Sequence, residues 1–352
     1  MVGPCAGVRR RGGNAALRQR RRTGAAGGFR SRQASLASGD IGAISMTMAN
    51  SIQLCLTCWI GSWLDKESLM HQAKTVLITG GARGLGLAAA RALAESGAQV
   101  MITDLGTDNQ GRGSDPLVVA AAAAELRALG LKVEGLCRDL ADGAQCRELI
   151  EACVACFGSL DVLIHNAGWV DYQMVEQTTE VFLGRALGIN VQAPLWLCKH
   201  AWPYLRQSSA PRIVLGTSDR AMYRCHARPG LAAYSAGKMA QLGLMNALAA
   251  EGAPHGILVN ALSPVARTRM WGEQGEPEDL RPEWVAPGFV FLASAACKLS
   301  GYVLRASNGQ FRATRFEEGH DVEYPRDLCG VVARSGEELV AHWGEITVLD
   351  AS

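Results

Sequence analysis

The chain has little charge and few aromatic residues: of its 352 residues, 19% are charged and 6% are aromatic. It lacks the HExxH and HxxxH spacings with which two histidines on one helix bind a metal ion. Its eleven cysteines form no regular framework, which is typical of reduced thiols in a cytosol-like compartment. Neither Cys-x-x-Cys pair, Cys55/Cys58 or Cys153/Cys156, has a second ligand pair, and the latter two are expected on one buried helix face. We therefore expect no metal site and no disulfide framework.

The charge that is present is unevenly distributed along the chain. Residues 1–40 contain nine Arg and a single acid, Asp40, whereas the rest carries 26 basic and 32 acidic residues, a net charge of −6. A mildly acidic body offers no electrostatic footprint for nucleic acid, so no nucleic-acid partner is expected. Apolar residues make up 48% of the chain, which is enough for a buried core and excludes global disorder.

The first seventy residues are open to three interpretations. Their Arg-rich, acid-poor composition is typical of a mitochondrial-type targeting peptide, whereas the uncharged stretch 41–64 is long enough for a signal anchor, although polar residues dilute it. The third interpretation, which we favour, is that residues 1–69 contribute nothing and that the true start is Met70. We accordingly expect a disordered or targeting tail over 1–69, one domain over 70–352, no membrane partner and a cytoplasmic location, with organelle targeting as the alternative.

From Lys74 onward the pattern alternates between strands and helices. Short apolar runs predict strands at 75–79, 100–103, 133–137, 162–165, 213–215 and 257–261, and longer runs predict helices at 85–96, 115–129, 145–157, 179–205 and 234–250. Helices of this length between strands imply βαβ units and a parallel sheet. The predicted fold class is therefore α/β, a Rossmann-type doubly wound parallel sheet in a single domain.

A glycine-rich run, TGGARGLG at positions 79–86, lies between the first predicted strand and the first predicted helix. Gly80 permits a tight turn, Gly84 lets backbone N–H groups approach a diphosphate, and Gly86 allows the helix and strand to pack closely. Such a turn at a helix N-terminus is typical of dinucleotide sites. Asp104 follows the second strand, where a carboxylate binds ribose hydroxyls and repels a 2′-phosphate, which favours NAD over NADP. Arg83 argues the other way, because it could pair with a 2′-phosphate.

Three motifs, in this order, resemble those of the short-chain dehydrogenase/reductase family. The run at 79–86 is similar to the family's TGxxxGxG, Asn166-Ala167-Gly168 to its NAG motif, and Tyr234-Ser235-Ala236-Gly237-Lys238 to its YxxxK motif, and the resemblance extends over residues 74–310. It implies an oxidoreductase whose catalytic residues are Asn190, Ser218, Tyr234 and Lys238. The nicotinamide dinucleotide contacts that it implies are Gly80, Arg83, Gly84, Leu85, Gly86, Asp104, Asp139, Leu140, Asn166, Ala167, Gly168, Tyr234, Lys238, Pro264 and Thr268.

The chemistry of the implied catalytic pair also follows from the residues themselves. Tyr234 and Lys238 are four residues apart on a predicted helix, so their side chains share one face. An ammonium group near the phenol is expected to lower the pKa of Tyr234 from ~10 toward neutrality, which makes the phenol a proton donor to a ketone or an acceptor from an alcohol. Ser218 would hydrogen-bond the substrate oxygen, with the adjacent Thr217 as the alternative hydroxyl. By the resemblance, Lys238 also binds the nicotinamide ribose, and Asn190 supports a water-mediated proton relay.

Shorter runs narrow the resemblance to one branch of the family. TDLG at 103–106, SPVARTRM at 263–270 and PEWVAP at 282–287 resemble the dehydrogenase domains of peroxisomal multifunctional β-oxidation enzymes and their bacterial relatives, which implies a 3-hydroxyacyl-CoA substrate and NAD. The stretch between Ser218 and Tyr234 is about three residues longer than usual, and it either serves an anionic or CoA-bearing substrate or is a solvated loop. Its basic residues are Arg220, Arg224, His226 and Arg228.

The leading hypothesis is an NAD-dependent 3-hydroxyacyl or hydroxysteroid-type dehydrogenase that acts on a small-molecule alcohol or ketone. The alternatives are an NADP-linked ketone reductase of the same fold and a non-catalytic dinucleotide-binding regulatory protein. The family commonly assembles through its two long helices, here 179–205 and 234–250, so the resemblance implies a homodimer or homotetramer. The segment after Gln310 is expected either over the site or at a subunit interface.

Overall fold

The computed structural model describes residues 74–108, 110–268, 278–319 and 321–347 of the chain. The predicted tail over 1–69 lies outside the described residues, and so do Cys55, Cys58 and the last two residues of the SPVARTRM run. The interpretations of the tail, including organelle targeting, therefore stay predictions.

Eight strands form one sheet: β1 (Thr75–Thr79), β2 (Gln99–Thr103), β3 (Val133–Leu136), β4 (Val162–His165), β5 (Arg212–Gly216), β6 (Leu258–Val265), β7 (Val303–Ser307) and β8 (Gln310–Thr314). Their order across the sheet is β3-β2-β1-β4-β5-β6-β7-β8. All neighbouring pairs are parallel except the last, in which β8 runs antiparallel to β7. The strand order reverses between β1 and β4, so a topological switch point lies at their carboxyl ends. The predicted Rossmann-type α/β fold is confirmed.

Within the described residues, the α-helices are α1 (Gly84–Glu95), α2 (Pro116–Ala128), α3 (Gly143–Phe157), α4 (Glu180–Leu187), α5 (Ala193–Leu205), α6 (Asp219–Met222), α7 (Ala232–Gly252), α8 (Ala286–Ala293), α9 (Gly336–Ala341) and α10 (Trp343–Ile346). Helices α1, α2 and α8 pack on one face of the sheet around Leu93, Leu126 and Phe289. Helices α3, α5 and α7 pack on the other face around Ile150 and Leu197. The sheet is therefore covered on both faces.

Local signals in the sequence account for where these elements begin and end. Every residue of β1 and β4 is buried, as expected for parallel strands that are covered on both faces. Helices α2 and α3 each begin after an aspartate, because the side chains of Asp115 and Asp142 accept hydrogen bonds from backbone N–H groups of the first turn. Helix α3 ends at Gly158, whose φ of 84° is one that glycine adopts readily. These caps explain why the predicted ends of helices α2 and α3 lie within two residues of the observed ones.

The predicted helix over 179–205 is interrupted. Between α4 and α5 the chain forms a π-helical turn at Gly188–Gln192, which carries Asn190. By length and composition alone, Glu180–Leu205 could cross a membrane, but a helix packed in a protein core passes the same test, and α5 contributes Leu197 and Ala201 to the core. The interruption matters for the site, because π-helical turns frequently occur at functional positions.

One expectation about the cysteines is wrong. Cys153 is buried in the core, but Cys156 is exposed. Three residues advance a helix by about 300°, so the two side chains lie about 60° apart, and only the first of them reaches the sheet. The pair therefore does not share a buried face.

Candidate active site

A cleft of about 1480 Å³ opens at the carboxyl ends of the parallel strands, where ligands bind in open α/β sheets. Two of the predicted site residues, Gly86 and Asn190, do not line it, and neither does any described residue after Gln310. The remaining predicted residues all line the cleft: Gly80, Arg83, Gly84, Leu85, Asp104, Asp139, Leu140, Asn166, Ala167, Gly168, Ser218, Tyr234, Lys238, Pro264 and Thr268. The fold thus gathers into one cavity residues that are as far apart in sequence as Gly80 and Thr268.

The glycine turn has the geometry that a bound diphosphate requires. Gly80 and Gly84 have φ angles of 63° and 51°, which side-chain-bearing residues rarely adopt. A Cβ atom on Gly86 would lie 1.9 Å from the carbonyl oxygen of Gly80, so this glycine acts inside the turn and not at the cleft surface. Arg83 caps helix α1 without a side-chain hydrogen bond, which leaves the first-turn N–H groups directed at the cleft. The turn therefore fits the phosphates of a dinucleotide.

Asp104, at the end of β2, is held in place by the glycine turn and by its own loop. Its carboxylate accepts hydrogen bonds from the backbone N–H groups of Ala82 at 3.3 Å and Gly106 at 2.9 Å. The guanidinium of Arg83 lies 3.5 Å from the same carboxylate and donates to the carbonyl oxygen of Thr107 at 3.0 Å. Asp104, which favours NAD, and Arg83, which favours NADP, are thus paired with each other.

Asn166 connects the end of β4 to the glycine turn. Its side-chain amide donates to the carbonyl oxygens of Thr79 at 3.2 Å and Gly80 at 3.1 Å. Asp139 also lines the cleft, and its carboxylate accepts from the backbone N–H of Ala141 at 3.0 Å. The NAG motif therefore fixes the shape of the turn as well as lining the cleft.

Tyr234 lies near the start of helix α7, half-buried, and its phenol is hydrogen-bonded to the Ser218 side chain. Burial raises the pKa of Tyr234, while the Ser218 hydrogen bond and the charge of Arg220 act in the opposite direction. The prediction that Lys238 brings the pKa of Tyr234 toward neutrality is wrong for this structure, because desolvation is the largest effect on the phenol. Tyr234 is therefore a neutral proton donor here.

Lys238 is buried one helical turn further along α7, with 6% of its surface exposed. Its Nζ atom donates to the carbonyl oxygen of Gly216 at 2.7 Å and lies 5.9 Å from the centre of the Tyr234 ring. Burial lowers the pKa of Lys238 to about 8. A Cβ atom on Gly168 would lie 3.1 Å from Nζ, so the glycine of the NAG motif leaves room for the ammonium group. The predicted shared face of Tyr234 and Lys238 is confirmed.

Asn190 sits behind the cleft wall, fully buried in the π-helical turn. Its side-chain amide donates to the carbonyl oxygen of Trp169 at 3.2 Å, and its backbone carbonyl oxygen accepts from the side chain of Gln241 at 3.1 Å. Its Oδ1 atom is buried without a hydrogen-bond partner among the described residues, and a Cβ atom on Gly168 would lie 3.3 Å from it. This unpaired acceptor lies close to Gly168, which lines the cleft.

The structure distinguishes the two adjacent hydroxyls after β5. Thr217 is buried, and its hydroxyl donates to the backbone carbonyl of Lys238 at 2.9 Å, which ties β5 to helix α7. Ser218 lines the cleft and hydrogen-bonds the phenol of Tyr234. Thr217 is thus committed to structure, and Ser218 is the hydroxyl that can contact a substrate.

One group of the site was missed from the sequence. His165, the last residue of β4, is fully buried, with Nδ1 3.1 Å from the hydroxyl of Thr79 and Nε2 3.2 Å from the carbonyl oxygen of Ile189, in the turn that carries Asn190. Burial, reinforced by the charge of Lys238, lowers the pKa of His165 to about 3. A histidine that ends an apolar strand gives no signal of these contacts.

An ion pair beneath Ser218 was also missed. The carboxylate of Asp219, the next residue, accepts from the Arg305 guanidinium at distances of 2.6 to 3.1 Å and from the Ser263 hydroxyl at 2.7 Å. The three residues come from α6, β7 and β6, and Arg305 also lies 4.6 Å from the ring centre of Tyr223. Because β7 was not predicted, no feature of the sequence pointed to this pair.

Known proteins resemble this chain over most of its described length. The family model described as short chain dehydrogenase matches residues 74–279. The peroxisomal hydratase-dehydrogenase-epimerase of Saccharomyces cerevisiae is 30% identical over 284 residues, which are 80% of this chain but only 31% of that enzyme, so the chain spans about a third of this relative's length.

Solved structures show the same likeness. A crystal structure of a short chain dehydrogenase from Mycobacterium avium is 28% identical, with a TM-score of 0.67, and the alignment covers 78% of this chain and 94% of that one. The structure of an NADH-dependent reductase, A1-R′, complexed with NAD is also 28% identical, with a TM-score of 0.56, and covers 68% of this chain and 96% of that one. The likeness to these two structures extends over nearly the whole length of each.

Proposed function

The chain belongs to the short-chain dehydrogenase/reductase family, and from that membership we propose that it moves hydride between NAD(H) and a secondary alcohol or its ketone. As a member of this family it is an NAD(P)-dependent oxidoreductase that acts on CH–OH groups. The observation that carries the proposal is the arrangement of the cleft, in which Tyr234, Ser218 and Lys238 lie beside a glycine turn shaped for phosphates. The preference for NAD and the substrate class are the parts that need testing.

The residues present fit a nicotinamide dinucleotide. The glycine turn and the N-terminus of α1 would hold the diphosphate, Asp104 the adenosine ribose, and Asp139 with Leu140 the adenine. Lys238 would hold the nicotinamide ribose, and Pro264 and Thr268 also line the cleft, with Thr268 beside Gly84. When bound, the nicotinamide supplies or accepts the hydride.

The protein's own residues handle the proton. The Ser218 hydroxyl binds the substrate oxygen and holds it beside the phenol, and Tyr234 donates its proton to that oxygen in ketone reduction or accepts one in alcohol oxidation. The nearby Lys238 ammonium stabilises the phenolate that donation leaves. The Oδ1 atom of Asn190 can hold a water molecule through which the proton is replaced.

The contacts of Asp104 support NAD as the cofactor. Its carboxylate is fixed by two backbone N–H groups, and it faces the position where a 2′-phosphate would place at least one more negative charge. The printed contacts of Arg83, with Asp104 at 3.5 Å and with the Thr107 carbonyl oxygen at 3.0 Å, both involve its Nη2 atom, so a phosphate on this guanidinium would have to share it with Asp104. The NADP-linked alternative would therefore place a phosphate at a guanidinium that already faces the Asp104 carboxylate.

A 3-hydroxyacyl or hydroxysteroid-type alcohol is the substrate class that we propose. The sequence runs that resemble peroxisomal β-oxidation dehydrogenase domains support the 3-hydroxyacyl class, and the yeast relative's name includes a dehydrogenase activity. The assembly predicted through the long helices stays a proposal too, supported by exposed apolar residues such as Val181 and Leu195 on α4 and α5.

The proposal is tested by the variant Tyr234→Phe in protein that still binds NADH. Loss of the proton donor is expected to lower kcat about 100- to 10,000-fold, with NADH binding retained in a fluorescence titration. Tyr204→Phe, which removes a hydroxyl from helix α5, is the matched control and should leave kcat unchanged. Undiminished turnover in Tyr234→Phe would show that the site has been misplaced.

A second experiment tests the cofactor. Wild-type protein is expected to use NADH at least 10-fold more efficiently than NADPH, and Asp104→Ser is expected to narrow that ratio by relieving charge repulsion. Equal kcat/KM values with the two nucleotides in the wild type would refute the role of Asp104.

A further inference from the structure

Tyr172 and Arg220 form a contact at the substrate end of the cleft that the proposed reaction does not use. Tyr172 follows the NAG motif and is 57% exposed, and Arg220 is in the first turn of helix α6. Both side chains line the same cleft as Ser218 and Tyr234. The Nη1 atom of Arg220 donates to the Tyr172 hydroxyl at 2.8 Å, which joins two segments 48 residues apart.

Arg220 is also tied to the reacting end of the site. Its backbone N–H donates to the Ser218 hydroxyl at 3.3 Å, and its charge is close enough to Tyr234 to lower the pKa of that phenol. A substrate oxygen bound by Ser218 and Tyr234 therefore lies near the guanidinium. A second oxygen on the same substrate, a few bonds away, falls within reach of it.

Asp219, the acid next to Arg220, is bound by other groups. The Asp219 carboxylate is engaged by Arg305 on both of its oxygens and by the Ser263 hydroxyl. That ion pair anchors the short helix α6 to the sheet, so the backbone that carries Arg220 has a fixed position. The position of Arg220 in the cleft is thus set from two sides, by the α6 anchor and by Tyr172.

Building on the proposed function, we propose that Arg220, oriented by Tyr172, binds the C1 oxygen of a 3-hydroxyacyl substrate and so determines specificity for alcohols with an acyl oxygen two carbons from the carbinol. A guanidinium is a strong planar donor to carbonyl and carboxylate oxygens alike. Thioester and free acid share this chemistry, and a hydroxysteroid, which has no oxygen at that spacing, does not. Arg220 is therefore a specificity-determining residue that selects among the alcohols the site can oxidise.

The test compares substrates that share a reacting group and differ at C1. The probes are 3-hydroxybutyrate, the N-acetylcysteamine thioester of 3-hydroxybutyric acid, and 2-pentanol, which has no C1 oxygen. Arg220→Met is expected to lower kcat/KM about 10- to 100-fold on whichever acyl probe the wild type prefers, mainly through KM, which is the loss expected for one hydrogen bond to a charged group. Turnover of 2-pentanol should change less than about threefold. The wild type's preference between the two acyl probes separates a carboxylate from a thioester.

Two further variants give the inference its controls. Arg224→Met removes an exposed arginine of the same loop that does not line the cleft, and it should leave kcat/KM unchanged on the acyl probes and on 2-pentanol. Tyr172→Phe should reproduce the acyl-selective loss in weaker form, since it removes the hydroxyl that orients Arg220. Arg220→Lys keeps the positive charge, so it should lose less kcat/KM on the acyl probes than Arg220→Met does. Unfolding midpoints and NADH titrations check that each variant is folded and binds nucleotide.

The possible failures are distinguishable. An equal loss on acyl probes and on 2-pentanol would mean that Arg220 acts through Tyr234 or through the fold, and would overturn the inference alone. Two other results would also overturn the inference alone: a wild type that oxidises 2-pentanol but neither acyl probe, and an Arg220→Met variant with unchanged kinetics. A wild type that oxidises a hydroxysteroid but none of the three probes would overturn the inference alone, whereas one that oxidises neither a hydroxysteroid nor any probe, with either nucleotide, would overturn both the proposed function and the inference.

Discussion

The buried histidine at the end of β4 leads to a quantitative prediction about stability. His165 has no exposed surface, and each ring nitrogen has one partner. The Ile189 carbonyl can only accept, so Nε2 carries the proton of the neutral ring, and Nδ1 accepts from the Thr79 hydroxyl. The neutral imidazole is thus fully paired, and burial followed by the Lys238 charge lowers the pKa of His165 to about 3.

The sign and size of the effect follow from that pKa. The folded-state pKa lies below the ordinary value of 6.5, so the unfolded chain takes up a proton first as the pH falls. His165 therefore costs no stability above pH 6.5, and from there down to about pH 3 it lowers the free energy of unfolding by about 1.4 kcal/mol per pH unit. Between pH 6.5 and pH 5.0 the loss is about 2 kcal/mol.

The assay is urea unfolding at pH 7.5 and pH 5.0 for the wild type and for His165→Asn, whose amide can still donate and accept a hydrogen bond. Other titrating groups contribute equally to both proteins, so the wild type should lose about 2 kcal/mol more than the variant between the two pH values. His226→Asn removes an exposed histidine and should behave as the wild type does. If His165→Asn and the wild type lose the same free energy, the imidazole is not held neutral and the reasoning is wrong.

Two further predictions concern the cofactor turn and the anchor of helix α6. Gly86→Ala would place its Cβ atom 1.9 Å from the Gly80 carbonyl oxygen, so the turn must shift and NADH affinity should fall more than about 100-fold in a fluorescence titration, whereas Gly184→Ala, a helix position with open space around it, should bind normally. Arg305→Leu removes the partner of Asp219 and should lower kcat about 10-fold with NADH affinity unchanged, as seen in steady-state kinetics beside the same titration. A loss of NADH binding in Arg305→Leu would show that the ion pair supports the whole cleft.

The sequence was enough to predict the sheet up to β6 and the walls of the cleft. Apolar runs such as 75–79 and 162–165 are buried on both faces, and buried parallel strands have this pattern for a direct physical reason. The glycine run has the spacing of a dinucleotide-binding turn, and Gly80 and Gly84 have the positive φ angles that the motif implies. Local patterns with a local cause were therefore recognisable.

Features that depend on tertiary packing could not be predicted in this way. The π-helical turn at Gly188–Gln192 lies within an ordinary helical pattern of residues, and its contact with His165, through the Ile189 carbonyl, comes from a distant strand. No strand was predicted at β7 or β8, so the sequence did not identify Arg305 as the partner of Asp219. Cys156 was predicted to be buried, but a residue three positions after Cys153 lies about 60° around the helix from it, at the edge of the buried face.

The pKa values of the site groups show most clearly that effects of tertiary packing could not be predicted from sequence spacing. Sequence spacing placed Lys238 beside Tyr234 and led to the expectation of an acidic phenol, yet burial shifts the pKa values of Tyr234, Lys238 and His165 toward the neutral form of each group. Desolvation acts against whichever form is charged, so it opposes the charge–charge effect that the spacing implies. Hydrogen bonds to backbone carbonyl oxygens position two of these groups, because Lys238 donates to Gly216 and His165 donates to Ile189. Spacing therefore identifies which groups meet, while the packed protein decides which of them are charged.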